Sequence, residues 1–334
     1  MQFRPLGKSG INASIVALGT WVTGGGTVWS QDTDDAESIR TIQAALDAGI
    51  NFIDTAPAYG FGRSEEVIGK AIKGRRDKVV VATKCGLLFN GEPGVDHFFL
   101  DGHMLRRNLH PESIRKELEG SLRRLGTDHV DLYQTHWPSI EPDKTPIADQ
   151  MACLMQLKDQ GKICAIGVCN VSLEELRENA ARGDVASCQM RYSLLWRDIE
   201  KDVLPYCQRQ NIAVLAYQPL EQGLLTGKVT MDRKFNKDDI RSHEGWNPWF
   251  KPENRQRVLE LLDGWKSLAA QYKCTPVQLV IAATAMQPGI THVLCGARRP
   301  EQASENAAAG SLVLEPQDFR RMQDESKAVF ATRG

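Results

Sequence analysis

The stretch NFIDTAPAYGFGRSEEVIGKAI occupies residues 51–72. It opens as a short apolar strand, Phe52 and Ile53, and the apolar run stops at Asp54. A loop of small residues and glycines follows, and Tyr59 sits on it. From Ser64, SEEVIGKAIKG reads as a helix with Ser64 as N-cap. This is one strand–loop–helix unit, with a carboxylate where the strand ends and a phenol on the loop.

The same unit recurs on both sides. Strand-like runs are IVALGTW from Ile15, VVVATKC from Val79, VDLYQTHW from Val130, ICAIGVCN from Ile163, ASCQMRYS from Ala186, IAVLAYQPL from Ile212 and THVLCGA from Thr291. Between them lie helical runs starting at Asp34, Pro111, Thr145, Ser172, Ile199, Glu253 and Pro300. In the first of these, Ile39, Ile42, Ala45 and Leu46 recur at helical steps and Gly49 ends the run. In the run from Pro111, the proline marks the first turn and Gly126 the stop. The strands are apolar without alternation, as strands covered on both faces are. Eight βα units predict a (β/α)8 TIM barrel of the α/β class, one domain spanning residues 1–334. A doubly wound open sheet is the alternative, but no G-x-G-x-x-G follows the first strand. Three pieces exceed the repeat: FRPLGKSGINAS, whose GKSG suggests an N-terminal β-hairpin; the long segment 86–110; and PQDFRRMQDESKAVF, an accessory helix.

Composition narrows the partners. The chain has 334 residues, 42% apolar and 25% charged, with a formal net charge of -1. That balance gives no electrostatic reason to expect nucleic acid or a membrane surface. No run approaches the ~18 apolar residues of a spanning helix, and MQFRPLGKSGINAS has no secretory h-region, so the chain reads as cytoplasmic. Its eight cysteines are scattered, without CxxC pairs or zinc-finger spacing, and read as reduced buried hydrophobes rather than disulfides or metal ligands. Oligomeric state is not legible in the sequence.

Barrel enzymes place their chemistry at the C-terminal ends of the strands. Asp54 ends the second strand, Tyr59 follows it, Lys84 ends the third and His136 the fourth. Singly, each has a plain reading: a turn cap, a rim aromatic, a solvated lysine, a histidine packed beside Trp137. Four on one rim point to a site. A phenol titrates near ~10, and a neighbouring ammonium lowers that value. The expectation is therefore a Tyr59 made more acidic by Lys84, with Asp54 keeping the lysine charged and His136 orienting a carbonyl oxygen. Such a group protonates an oxygen as charge develops on it, which suits carbonyl reduction with hydride from a cofactor. A rival is a Schiff-base lyase with Lys84 as nucleophile.

NFIDTAPAYGFGRSEEVIG, VVATKCG, LRRLGTDHVDLYQTHW and GARRPEQASENAAA together resemble the aldo-keto reductase superfamily, from PLGKSGINAS to the last helix. Among its members, the bacterial aldehyde and methylglyoxal reductases look nearest. The resemblance implies a barrel that reduces aldehydes and ketones with a nicotinamide cofactor and no metal, with Asp54, Tyr59, Lys84 and His136 as the catalytic tetrad. It also implies cofactor contacts at Gly19, Thr20, Trp21, Asp54, Asn170 and Gln189. Tyr217 would stack on the nicotinamide, and Gln218, Leu220, Gly223, Leu224 and Lys228 would line the phosphates. Gly296, Arg298, Gln302 and Asn306 would hold the adenosine. Cys169 and Gln218 stand where the family has serine. Paired guanidiniums, Arg298 and Arg299, suit a 2′-phosphate and predict NADPH, with NADH possible. Because the superfamily includes potassium-channel β subunits, a regulatory cofactor-binding subunit is a second rival. The partner expected is a small-molecule carbonyl: a small aldehyde, a 2-oxoaldehyde or a sugar-type carbonyl. Trp21, Trp137, Tyr192, Trp196 and the loops 86–110 and 226–252 are expected around its entrance. Arg191 and Arg197 are candidates for an anionic substrate group, and Trp246 and Trp249 for a lid.

Overall fold

The computed structural model describes residues 1–26, 29, 34–89, 91–243 and 247–331. The chain begins with a hairpin, β1 (Phe3–Pro5) and β2 (Asn12–Ser14). Then come β3 (Val16–Gly19), β4 (Phe52–Asp54) and β5 (Val80–Cys85). Three further strands, β6 (Leu87–Leu88), β7 (Val95–Leu100) and β8 (His103–Arg107), fill the long segment after β5. The remainder are β9 (Val130–Thr135), β10 (Ile163–Cys169), β11 (Val185–Arg191), β12 (Ala213–Tyr217) and β13 (Ile290–Gly296). Strands β3, β4, β5, β9, β10, β11, β12 and β13 pair in that order and close back onto β3. Every pairing is parallel. The chain is the expected (β/α)8 barrel with its N-terminal hairpin.

The helices are α1 (Asp35–Asp47), α2 (Arg63–Ala71), α3 (Pro111–Leu125), α4 (Ile147–Asp159), α5 (Leu173–Arg182) and α6 (Val203–Gln210). They continue with α7 (Pro252–Gly264), α8 (Lys266–Gln271), α9 (Pro276–Met286), α10 (Pro300–Ala309) and α11 (Pro316–Phe330). Asp34 caps α1, and Pro111 and Gly126 bound α3 as expected. Ser64 is not a cap. The helix α2 begins one residue earlier, after Gly62, and the Ser64 hydroxyl donates to Thr20 instead.

The single helix expected from Glu253 is two, α7 and α8, and α9 went unread. Every residue of α9 from Leu279 to Ala285 is buried. A helix that is apolar all round has no periodicity to read. Its signal lay at its start, where Thr275 and Gln278 form a capping box ahead of Pro276.

Inside the barrel, small side chains share space with a plug. Leu6, from the hairpin loop, packs with Ala17, Phe52, Ala82, Leu132, Ala165 and further residues of the other strands. This closes the N-terminal end and leaves the other end for chemistry. There, β6, β8 and β7 form a small antiparallel sheet over the strand ends. Its hairpin turns at Asp101–Gly102, both at positive φ, as a two-residue hairpin loop of the primed type demands.

Candidate active site

Register places the tetrad. Asp54 lies beside Gly19 and Ala82 at the end of β4. Lys84 pairs across to Gln134 on β9. His136 follows β9 directly and donates its backbone N–H to the Cys85 carbonyl. Tyr59 lies on the loop after β4, which is pressed against the turn Trp21–Gly24. Gly60 has φ +64°, and a Cβ there would lie 2.2 Å from the Gly24 carbonyl oxygen. Only glycine permits that approach.

The four side chains meet. Lys84, fully buried, donates to Asp54 Oδ1 at 2.7 Å, to the Thr55 carbonyl at 2.9 Å and to Tyr59 Oη at 3.1 Å. The Tyr59 and His136 rings meet edge to face at 5.8 Å, and Trp21 stacks on Tyr59 at 6.2 Å. Asp54 Oδ2 accepts from Gln189 at 2.8 Å and from Gln134 at 3.0 Å.

The electrostatics differ from expectation in one respect. Burial pushes the Tyr59 hydroxyl above the usual phenol range, and the opposing pull of Lys84 does not cancel it. Tyr59 is thus not made acidic at rest. It holds its proton firmly at neutral pH. Burial also pulls on the Lys84 ammonium, but Asp54 and then Tyr59 outweigh it and push the lysine up. Burial, followed by the Lys84 charge, holds His136 well below the usual imidazole range, so its ring is neutral.

The tetrad opens into a cavity of about 790 Å³ that runs along the strand ends. Of the residues expected to hold a dinucleotide, Gly19, Thr20, Trp21, Asn170, Gln189, Tyr217, Gln218, Leu220, Gly223, Lys228, Gly296, Arg298, Gln302 and Asn306 line it. Asn170, at φ +57°, donates to the His136 carbonyl and accepts from Tyr217 Oη at 2.8 Å. Gln302 accepts from the Arg298 backbone N–H, and Arg298 reaches the Trp29 carbonyl at 2.9 Å. The residues fit a dinucleotide. The amides of Asn170 and Gln189 lie beside the tetrad, and those of Gln302 and Asn306 beside Arg298 and Gly296. Four cations suited to phosphates line the same cavity: Lys228, paired with Glu305, Arg241, paired with Asp239, and Arg233 and Arg298. The buried Gln218 Oε1, on the wall, has no hydrogen-bond partner among the described residues.

Several expectations are corrected by the structure. Leu224 is fully buried in the core beneath the loop and does not line the cavity. Tyr192 is not at the entrance; it is buried and donates to Glu200 at 2.7 Å. Arg197 is an internal ion pair with Glu200 at 2.7 Å, not an anchor for substrate. Trp249 is a core residue with no exposed surface, not a lid, and Trp246 lies outside the described residues. Arg191 does line the cavity, paired with Glu221 at 2.7 Å and stacked on Trp196 at 3.7 Å. Arg299 is exposed and off the wall.

The sequence reading missed Arg241, Glu305 and the apolar wall supplied by Phe98, Leu100 and Leu105. The Asp-Gly pair between two apolar runs was the available signal for that wall. Far from the cavity, His129, Asp131 and Cys164 come within 4.8 Å of one another. Asp131 there already accepts from Arg76 at 2.8 Å. The eight cysteines are free, and among the described residues no helix is long and apolar enough to cross a membrane.

Comparison with known proteins agrees with this architecture. The family model "Aldo/keto reductase family" matches residues 16–326. An NADH-specific methylglyoxal reductase of Escherichia coli K12 is 42% identical over 98% of this chain and 99% of its own length. The aldo-keto reductase YhdN of Bacillus subtilis is 41% identical over 90% of this chain and 86% of its own. Among solved structures, the glycerol dehydrogenase AKR11B4 from Gluconobacter oxydans superposes with a TM-score of 0.85 at 39% identity, over 98% of this chain and 94% of that one. An aldo/keto reductase from Klebsiella pneumoniae in complex with NADP and acetate superposes with a TM-score of 0.72 at 25% identity, over 97% and 95%. By fold, by site and by sequence the chain belongs to the aldo/keto reductase family, and it is an oxidoreductase.

Proposed function

We propose that this protein reduces an aldehyde or ketone to the alcohol with NADPH, using Asp54, Tyr59, Lys84 and His136 as its catalytic residues. The observation that carries this is one ammonium shared by two partners on the cavity floor. Lys84 Nζ lies 2.7 Å from Asp54 Oδ1 and 3.1 Å from Tyr59 Oη.

When bound, the reduced nicotinamide supplies hydride to the carbonyl carbon. The chain supplies the rest. His136, neutral, offers a hydrogen bond that fixes the carbonyl oxygen near Tyr59 Oη. As negative charge grows on that oxygen, it becomes basic enough to take the Tyr59 proton. The Lys84 ammonium stabilises the phenolate left behind, and Asp54 keeps the ammonium in place. A Tyr59 that is protonated at rest is the form this needs.

A Schiff-base lyase is disfavoured by the same bonds. Three acceptors engage Lys84, matching the three N–H donors of an ammonium and leaving no lone pair for attack. A purely regulatory role leaves the complete tetrad without a purpose. The wall of Phe98, Leu100, Leu105, Trp21 and Trp137 is apolar. It favours an uncharged carbonyl, whether a small aldehyde, a 2-oxoaldehyde or a sugar-type carbonyl.

The preference for NADPH rests on Arg298 and Arg241. Both line the cavity, both lie 5.8 Å from the Trp29 ring, and their mutual repulsion helps hold Arg298 below its usual value, after burial. A 2′-phosphate would relieve that repulsion. Names do not decide the matter, since one relative is called NADH-specific and one neighbour holds NADP.

The test is a panel of aldehydes, 2-oxoaldehydes, ketoses and sugar aldehydes read at the NADPH absorbance, repeated with NADH. The reading expects turnover with a kcat/KM at least about tenfold higher for NADPH, lost in Arg298→Ala. Equal values or a preference for NADH would retire the NADPH assignment. No turnover of any carbonyl would retire the function.

A further inference from the structure

We propose that Gln134 is a positioning residue of this site: its amide, held inside the barrel behind the cavity wall, fixes Asp54 so that Lys84 stays an ammonium aimed at Tyr59. The inference rests on the catalytic reading above and extends it to a residue outside the tetrad.

Asp54 is a carboxylate with almost no exposure, and Lys84 satisfies only one of its oxygens. The other, Oδ2, has two amide donors, Gln134 Nε2 at 3.0 Å and Gln189 Nε2 at 2.8 Å. The two are not equivalent. Gln189 lines the cavity, on the side where a nicotinamide is expected, and its amide is shared with Gln134 Oε1 at 3.2 Å. Gln134 has no exposure and does not line the cavity. Its carbonyl oxygen is held in turn by Gln189 and by the Cys169 thiol at 3.7 Å. Cys169 is one of the two residues that stand where the family has serine, and it serves Gln134 rather than the cavity.

The barrel also reserves space for this side chain. Gly167 lies beside Gln134 in the β9–β10 register, and a Cβ there would lie 2.5 Å from Ser187 Oγ and 2.8 Å from Gln134 Cγ. A fully buried polar residue with both ends of its amide bonded is a component with a task. That task is to keep the negative charge on Asp54. Without Gln134, Oδ2 keeps only the Gln189 amide, which borders the cavity, and the sealed carboxylate is relieved by taking a proton from Lys84 Nζ along the existing hydrogen bond. The proton passes from nitrogen to Oδ1, the net charge of the pair is unchanged, and Tyr59 then faces a neutral amine.

The test follows Lys84 directly, with no substrate or cofactor present. The titratable groups around it are Asp54, Tyr59, Cys169 and His136. In protein carrying ¹³C-lysine, the Lys84 Cε signal of the wild type is expected to stay that of an ammonium up to about pH 10. In Gln134→Met, of matching length but without a donor, it is expected to be that of a neutral amine already at about pH 7. Gln134→Asn, which draws the amide back by one methylene, is the second variant and is expected to shift the same way.

With a good aldehyde, kcat of both falls by about tenfold or more while its KM changes less than about twofold. A Lys84 signal that titrates as in the wild type in either folded variant overturns the proposal. So does loss of folding in both variants, which would make Gln134 a packing residue. If the wild type reduces no carbonyl, the catalytic reading fails, while the Lys84 titration still reports on Gln134.

Discussion

At the scale of the residue, the site is a matter of which charges can be removed alone. Lys84 and Asp54 form an ion pair with 0% and 3% side-chain exposure. Breaking such a pair leaves one charge stranded and costs about 3–5 kcal/mol, whereas replacing both partners by apolar side chains is close to neutral. Lys84→Met is therefore expected to lose activity and to destabilise the fold by that amount. The double variant Lys84→Met, Asp54→Leu is expected to regain part of the stability, since the Gln134 and Gln189 amides lose their carboxylate acceptor, and none of the activity. Urea unfolding beside turnover checks this; a single variant as stable as the wild type contradicts the pairing. Tyr59→Phe removes the proposed proton donor and one acceptor of Lys84, so kcat is expected to fall by about 10²–10⁴-fold with dinucleotide affinity little changed. That these side chains would meet was legible because burying an ionisable group where an apolar strand ends is costly and calls for a partner. Tyr192, Arg197, Leu224 and Trp249 were misplaced for one shared reason. They lie on loops and short helical turns, which have no fixed period, so sequence spacing alone does not say which side chains face the cavity.

At the scale of the element, strands and their order were legible, while what decorates them was not. Continuous apolar runs at the strands, with amphipathic helices between, leave few arrangements that bury everything. The exceptions are instructive. The helix α9 is too uniformly apolar to show a period, and the sheet of β6, β7 and β8 hid inside a segment read only as long. The loop carrying Tyr59 depends on a contact no local pattern reveals, that of Gly60 against Gly24. Gly60→Ala forces a side chain into the left-handed region and against a backbone oxygen. It is expected to cost about 2–3 kcal/mol and to lower kcat by moving Tyr59 away from Lys84. Gly161, at φ +73° with nothing within 4 Å of its Cβ position, is the control. Its alanine variant bears only the backbone strain, about 1 kcal/mol, and leaves kcat alone. Equal effects from both substitutions would show that the Gly24 contact is irrelevant.

At the scale of the whole molecule, the two ends of the barrel respond to pH in opposite senses. His292 is buried at the closed end, donates Nδ1–H to the Ser14 carbonyl at 3.0 Å and meets Phe52 edge-on at 5.3 Å. Burial holds its imidazole down at about 4, against an ordinary 6.5. The folded state thus disfavours the proton that the unfolded chain accepts. Its contribution is complete above pH 6.5 and is lost as pH falls towards 4. At the open end, burial pushes the Glu117 carboxyl up to about 8, even though it accepts the Gly86 N–H at 2.9 Å. That contribution is complete below the ordinary carboxylate value and is lost as pH rises towards 8. Between pH 5 and 7 the two slopes oppose each other, so the wild-type profile is a difference and a flat one carries no information. The comparison of proteins does. His292→Leu removes one slope and leaves the other, so the variant gains relative to the wild type on going from pH 7 to pH 5, by about 2 kcal/mol. Urea unfolding of both proteins at the two pH values measures it. A difference between them that does not change with pH would mean that His292 keeps an ordinary affinity for its proton and that the closed end is open to water.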